Sequence, residues 1–185
     1  SGALITILFR ESISSLQFIV TAQSGSFIEI CKSLTWPMRL VLPTFGGILA
    51  GIILLCSNRF SPDTISNYME AIVTNNGEIP IQRSLTRSLS SLITIVSGSS
   101  IGREGMMVHL SALAASLIGR CTPFSSKHLR LLAACGAAAG ISSVYNAPIA
   151  GAFFITEIVF GRIFMENFGP VILASTVANI TMRGL

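Results

Sequence analysis

An arginine and a glutamate stand side by side in an otherwise apolar stretch of this chain. The stretch Ser97–Leu110 reads SGSSIGREGMMVHL and places Arg103 and Glu104 between two glycines. Helical spacing continues after these residues, so Glu104 is predicted to lie at or within the first turn of a helix. Backbone amides in a first turn have no partner within the helix, and the helix dipole adds roughly half a positive charge there. A buried helix start of this kind binds anions, and the Glu104 carboxylate could itself occupy the site.

Other interpretations of the same two residues remain open. Glu104 could simply complement the helix dipole, which is worth about 0.3–1 kcal/mol. Arg103 could pair with Glu104 or extend towards a water-filled vestibule. A phosphate-binding loop is a third option, but the chain lacks the Lys-Ser/Thr ending of such a loop and no strand precedes it.

The composition is typical of a membrane protein. Hydrophobic residues make up 51% of the chain and charged residues only 11%, whereas about a quarter of the residues of a soluble domain are charged. Most charge-free runs approach the roughly 17–25 residues of a spanning helix. These runs are 12–28, 40–58, 88–102, 131–156 and 167–182. The net charge of +4 comes from scattered lysines and arginines, which we expect to mark loops. No basic stripe is present, so binding of nucleic acid is not implied.

Glycines and prolines interrupt these apolar runs. The interruptions fall at residues 43–47, 98–105, 136–140, 146–148 and 169–170. An unpaired backbone group in hydrocarbon costs several kcal/mol, so irregular backbone survives at membrane depth only inside protein or beside a wet cavity. The pattern therefore predicts segments that enter the membrane part-way, which is typical of transporter binding sites.

Eight helices are predicted, several of them too short to span a membrane. They cover about residues 2–24, 37–56, 64–74, 83–97, 104–119, 126–141, 148–161 and 168–183. Two small-residue segments, Gly47–Gly51 and Gly136–Gly140, are expected to let helices approach closely. The four cysteines lie at no metal-ligand spacing. We expect no cofactor and no bound metal.

Several of these segments together resemble the CLC family of chloride channels and chloride/proton exchangers. Gly102–Gly105, preceded by Ser-Gly-Ser and followed by a long apolar helix, is similar to the family signature GREGP. The block GAAAGISSVYNAPIAGAFFITEIVFG, residues 136–161, resembles the next family segment over its whole length. The earlier stretches PTFGGILAGIILL and NYMEAI are also similar to family segments, and the combination resembles a bacterial branch.

The resemblance implies an all-α integral membrane protein, a CLC-type bundle of tilted, partly re-entrant helices arranged as two inverted repeats. Residues 1–185 resemble the first repeat alone, the N-terminal half of the anion transport domain. The C-terminal half of the parent protein would complete the pore. The resemblance also implies a homodimer in a bacterial inner membrane, with the helices at 148–161 and 168–183 resembling part of the dimer interface.

Carried over to this sequence, the family pattern assigns a gate and an outer anion site. Glu104 matches the external gating glutamate, and the backbone amides of Arg103, Glu104 and Gly105 match the outer anion contact. Met106 replaces the usual proline after GREG. Proline suits a first helical turn but is not required there, so the replacement leaves the match in place.

The inner anion contact departs from the family pattern. A fit without gaps places Asp63 opposite the chloride-binding serine of the family, and a carboxylate there would repel an anion. Thr64 or Ser66 could supply the hydroxyl instead, or Asp63 could simply cap the following helix. Because this motif is altered, fluoride also remains open as the transported ion.

The mechanism depends on a second acidic position. Exchangers of the family commonly carry two adjacent acids, of which the second transfers protons internally. Here Glu157 matches the first acid and Ile158 replaces the second. A buried isoleucine cannot transfer a proton, which favours passive chloride conduction, although Glu157 could act if its helix face opens to water. The alternatives are a chloride/proton antiporter and a non-transporting membrane scaffold. No enzymatic activity is expected.

Overall fold

The computed structural model describes residues 2–21, 36–60, 68–99, 102, 104–122, 125–161 and 165–184. All regular elements in these ranges are helices, as the fold class predicted. In chain order they are α1 (Gly2–Thr21), α2 (Trp36–Phe60), α3 (Tyr68–Thr74), α4 (Ile81–Val96), α5 (Glu104–Arg120), α6 (Ser126–Tyr145), α7 (Pro148–Phe160) and α8 (Met165–Gly184).

Some helix boundaries agree with those predicted from the sequence pattern, and others do not. The predicted starts at residues 104, 126 and 148 are confirmed. Two helices end four residues later than predicted, because α2 continues past 56 to Phe60 and α6 continues past 141 to Tyr145. Residues 22–24 and 64–67 of the predicted first and third helices lie outside the described residues.

Three of the five predicted interruptions do not end a helix. Pro43 lies inside α2, and Pro170 lies inside α8 together with Gly169. Gly136 and Gly140 lie inside the continuous helix α6. A proline removes one backbone hydrogen bond and bends a helix without necessarily ending it, and glycine costs a helix only about 1 kcal/mol. At Gly136 and Gly140, close packing against α5 also offsets the cost of the glycines.

The other two interruptions do separate helices, and each contains left-handed backbone. Gly98, directly after α4, has φ +98°, and Asn146, between α6 and α7, has φ +57°. Glycine adopts this region without steric cost, and asparagine is one of the few other residues that does so readily. These two breaks lie ahead of the starts of α5 and α7.

The chain divides into two compact units, which are described separately. The first contains residues 1–7, 64–84 and 104–185, and the second contains residues 8–63 and 85–103. In the first unit α6 packs against α5, α7 and α8. Its core is rich in fully buried alanines, among them Ala133, Ala134, Ala137 and Ala138. Small side chains on a central helix let three neighbours pack closely around it.

In the second unit α2 and α4 pack side by side and antiparallel. The Ser90 hydroxyl of α4 donates to the backbone carbonyl of Ala50 over 3.1 Å, and the hydroxyls of Ser57 and Thr86 lie 3.0 Å apart. A Cβ atom at Gly46 would collide with the side chain of Ser97. The glycine therefore sets how closely the two helices approach.

One helix among the described residues is long and apolar enough to cross a membrane by itself, at Trp36–Ser57. Helix α7 has 13 residues and so a length of about 20 Å. The hydrocarbon core of a bilayer is about 30 Å thick. Such lengths are consistent with the predicted mixture of spanning and partial helices.

Arginines expected to mark loops are instead parts of helices. Arg120 is the last residue of α5, and its Nη2 donates to the carbonyl of Ile79 over 2.6 Å. Arg130 lies in α6, donates from Nη2 to the carbonyl of Val159 over 2.6 Å, and lies over the ring of Phe160 at 5.4 Å. Arginine stems pack along apolar surface while their charged ends find carbonyls near helix ends. The two arginines therefore anchor neighbouring segments.

Candidate functional site: a pocket at two helix starts

Glu104 is the first residue of α5, as the sequence predicted. Gly102 before it is exposed and not helical, and the Glu104 side chain is half-buried. At Gly105 no described residue, apart from its chain neighbours and the backbone of its own helix, lies within 4 Å of the place where a Cβ atom would stand. The start of α5 therefore faces open space, with its glycine leaving the backbone accessible.

This open space is a pocket of about 420 Å³. Helices α3, α5, α6 and α7 contribute to its walls, together with the α6–α7 junction, and all lining residues belong to the first unit. The lining residues are Met69, Glu104, Gly105, Val108, Ile141, Tyr145, Ala147, Ala150 and Phe154. Glu104 is the one charged side chain among these residues. The others, apart from the Tyr145 hydroxyl, are apolar.

A second helix start lies on the same pocket. Helix α7 begins at Pro148, its N-cap residue is Ala147, and no side chain caps it. Ala147 and Ala150, on either side of this start, both line the pocket. An alanine cap leaves the first amides of a helix without the side-chain acceptor that serine or aspartate would provide. The positive ends of two helix dipoles therefore meet at one apolar pocket.

An apolar wall strengthens the electrostatic effect of these helix ends. Electrostatic interactions weaken as the effective dielectric constant rises, so the same partial charges act more strongly here than on a wetted surface. Two helix starts favour a negative charge, and Glu104 supplies one. The arrangement can hold a carboxylate or a small anion, and it contains no nucleophile–base pair among the lining residues.

Glu157 lies outside the pocket lining but on the same face of α7 as part of it. Ala150, Phe154 and Glu157 are spaced by four and three residues, which places them on one side of the helix. Glu157 is exposed in the last turn of α7, and its backbone carbonyl accepts a hydrogen bond from the Gly161 amide over 2.9 Å. Ile158, which was expected to be buried, is 39% exposed. The acid therefore lies one turn beyond the Phe154 wall of the pocket.

Comparison with known proteins identifies the family. Residues 46–185 match the family model described as voltage gated chloride channel. The chain belongs to this family. It is 46% identical over 99% of its length to a ClcB-like chloride channel protein of Ralstonia nicotianae. It is 40% identical over 98% of its length to the voltage-gated ClC-type chloride channel ClcB of Yersinia pestis. The corresponding protein of Citrobacter koseri is 41% identical over 97% of the chain.

The chain therefore has the all-helical membrane fold of the CLC family. The chain spans 44% of the Ralstonia protein and 45% of the Yersinia protein. The matched range begins inside α2 and includes α3 to α8, so it contains every helix that lines the pocket. The resemblance noted from the GREG segment and the block at 136–161 is confirmed.

The structure brings two of the predicted site residues together, Glu104 and Gly105, at one pocket. Arg103 lies outside the described residues. The predicted inner anion contact, Thr64 or Ser66, and the alternative at Asp63 also lie outside the described residues. Within the part of the chain that the structure describes, no group of three or more histidine, cysteine, aspartate or glutamate residues could hold a metal ion.

Sequence reasoning about the CLC motifs missed the apolar walls of the pocket. Ile141 and Tyr145 are spaced by four residues near the end of α6, and Phe154 and Ala150 are spaced by four on α7. Such spacing indicates a shared helix face. It does not indicate whether that face meets a core, lipid or a cavity. Met69 of α3 carries no pattern that connects it with Glu104.

Proposed function

We propose that the complete protein transports chloride across the membrane by passive conduction, and that Glu104 is its gate. The observation that carries this proposal is the position of Glu104 at a helix start in an apolar pocket that a second helix start also lines. Helix starts bind anions through free amides and the dipole. The names of the Ralstonia and Yersinia relatives as chloride channel proteins support chloride as the ion.

In this proposal the Glu104 carboxylate takes the place of the transported anion. The backbone amides of Arg103, Glu104 and Gly105 form the outer anion site, and the carboxylate occupies it while the gate is closed. When chloride competes for the amides, or when the carboxylate takes up a proton, the side chain leaves and the path opens. Thr64 or Ser66 supplies the inner hydroxyl contact.

We further propose that residues 1–185 are the N-terminal half, the first of two inverted repeats, of a CLC-type transport domain. The C-terminal half then supplies the remaining anion contacts. Two copies of the complete protein form a homodimer in a bacterial inner membrane, with α7 and α8 at the interface. Exposed apolar side chains on these helices, such as Ile149, Leu173 and Val177, are compatible with contact to a partner or to lipid.

The test is chloride efflux from liposomes that contain the complete protein, compared with its Glu104→Gln variant. Removing the carboxylate should raise efflux about two- to thirty-fold, the factor for a helix-terminus interaction of about 0.5–2 kcal/mol. Glu166→Gln is the matched control, because Glu166 is also a glutamate in the first turn of a helix but is exposed on α8. Fluoride efflux measured in parallel identifies the preferred ion.

Two results would overturn the proposal. Equal efflux from the wild type and Glu104→Gln would remove the gate assignment. Absence of any anion flux from well-folded complete protein would remove transport itself and favour a membrane scaffold.

A proton-coupled exchanger is the second candidate, and the position of Glu157 favours it. This acid continues the α7 face formed by Ala150 and Phe154, so a proton reaching the pocket would pass close to it. An exchanger should move protons uphill when a chloride gradient is imposed, and Glu157→Gln should abolish that movement while chloride flux persists. Proton movement that is absent in the wild type excludes exchange and leaves passive conduction.

A further inference from the structure

The junction between α6 and α7 is held by the side chain of Asn146. This residue has left-handed backbone, with φ 57° and ψ 34°. Its amide oxygen accepts two hydrogen bonds from α8, one from Asn179 Nδ2 over 2.7 Å and one from Arg183 Nε over 3.0 Å. An amide oxygen has two lone pairs, so both are used. We call Asn146, Asn179 and Arg183 the junction clamp.

Two serines add further bonds between the junction and α8. Ser142 of α6 donates from its hydroxyl to the carbonyl of Ser175 over 2.8 Å. Ser175 in turn donates to the carbonyl of Pro148, the first residue of α7, over 2.6 Å. Ser142, Ser175 and Asn179 are all buried. Helix α8 therefore fixes both the last turn of α6 and the first residue of α7 through hydrogen bonds of buried side chains.

The residues on either side of Asn146 form part of the pocket wall. Tyr145 and Ala147 both line the pocket that contains Glu104. The clamp residues themselves are not among the lining residues. Any movement of Asn146 would be transmitted directly to its two neighbours through the chain. The bonds to α8 therefore determine where this wall stands relative to Glu104.

The left-handed backbone alone does not require this side chain. Glycine would adopt the same φ and ψ with less steric cost. What asparagine adds is an acceptor for two donors that come from another helix. Each of the two bonds ties the junction to a different residue of α8, Asn179 or Arg183, which makes the Asn146 side chain a positioning device.

We propose that Asn146 is a positioning residue for the gate, acting through the Tyr145–Ala147 wall on Glu104. This inference rests on the proposed function of Glu104. Loss of the clamp lets the wall move away from Glu104, so the carboxylate is held less firmly and leaves the anion site more often. The clamp does not touch the transported ion.

The experiment compares Asn146→Gly with Asn146→Asp in the complete protein, using chloride efflux from liposomes. Glycine keeps the left-handed backbone and removes the acceptor of both bonds, so efflux should rise about five-fold, a little over two-fold for each of the two lost hydrogen bonds. Aspartate tolerates the same backbone and keeps an acceptor for Asn179 and Arg183, so its efflux should stay close to that of the wild type. Rescue by aspartate separates positioning from general loosening.

A double variant shows whether the effect passes through Glu104. In the Glu104→Gln background, Asn146→Gly should change efflux by less than about two-fold, because coupled sites are not additive. An equal change in both backgrounds, or no change in the wild-type background, would overturn the inference. Failure of Glu104→Gln itself to alter efflux would instead overturn the proposed function and the inference with it.

A third variant covers the case in which Asn146→Gly does not assemble. Arg183→Met removes one of the two donors and leaves the bond from Asn179, so it should raise efflux by a smaller factor of about two. Folding of each variant is checked by size-exclusion chromatography in detergent. If Asn146→Gly does not fold, unchanged efflux from well-folded Arg183→Met would overturn the inference.

Discussion

Two segments of this chain have the same glycine spacing and different surroundings. Gly47–Gly51 lies in α2 and Gly136–Gly140 lies in α6, each with three small or apolar residues between the glycines. A Cβ atom at Gly140 would lie 2.9 Å from the Cα of Val108 and 2.9 Å from the Cβ of Ser111. At Gly47 and Gly51 no described residue outside the helix lies within 4 Å of the corresponding position.

Regular spacing of small residues therefore permits two helices to approach closely without requiring it. At Gly136 the added Cβ would meet Ala115 and would lie 2.6 Å from the carbonyl oxygen of Ser111. The backbone of α5 is therefore in direct contact with α6 at Gly136. Because α5 begins with Glu104, the close contact also determines where the start of α5, and with it the pocket, lies relative to α6.

The largest loss of stability is expected for Gly136→Leu. The new side chain would point into the backbone of α5, and overpacking of this kind costs about 3 kcal/mol or more. The complete protein should then fail to give a monodisperse peak in size-exclusion chromatography. A well-folded Gly136→Leu protein would show that α5 and α6 are not in close contact.

A smaller but measurable loss of stability is expected for Gly140→Ala. One methyl group would have to displace Val108 or Ser111, which costs about 1–3 kcal/mol. Thermal unfolding in detergent should show a lower melting temperature than the wild type. If the melting temperature rises instead, helix propensity outweighs packing at this position.

Two neighbouring buried serines on α6 test whether hydrogen bonds to α8 also stabilise the position of this helix. Ser142 donates to the Ser175 carbonyl on α8, whereas Ser143 donates to the Ala139 carbonyl of its own helix. Ser142→Ala should cost about 1 kcal/mol. Ser143→Ala should be nearly neutral, because alanine removes a local bond and favours the helix by a few tenths of a kcal/mol. Equal melting temperatures for the two variants would contradict this distinction.

The smallest effect is expected for Gly51→Ala in α2. With no described neighbour to displace, alanine should leave the complete protein as stable as the wild type or more stable by about 0.5–1 kcal/mol. The measurement is again the melting temperature. A clear loss of stability would show instead that another part of the complete protein packs on this face of α2.

Much of the site at Glu104 could be predicted from the sequence because its determinants are local. An acidic residue flanked by glycines before an apolar helical pattern indicates a helix start, and the structure begins α5 at that residue. The left-handed Asn146 before Pro148 is local in the same sense, since asparagine and proline favour a break there. The roles in transport stay predictions for all the site residues, which are Arg103, Glu104, Gly105, Thr64, Ser66 and Glu157.

The pocket and the junction clamp could not be predicted in the same way. The interruptions at Pro43, Gly136–Gly140 and Gly169–Pro170 did not become breaks, because a proline can bend a helix without ending it and glycine costs a helix only about 1 kcal/mol. Arg183 is separated from Asn146 by 37 residues, and nothing in the spacing connects them. Which helix faces meet depends on contacts distant in the chain.

The amino-acid sequence by itself determined the helical membrane class, the family and the position of Glu104 at a helix start. Each of these follows from composition, from a contiguous motif or from the partner-free amides of a first helical turn. Only the tertiary structure decided which of two equal glycine segments is a contact, and which apolar residues surround Glu104. The physical reason is that a glycine or an apolar side chain is equally compatible with a packed neighbour and with open space. Its effect depends on the surface opposite it.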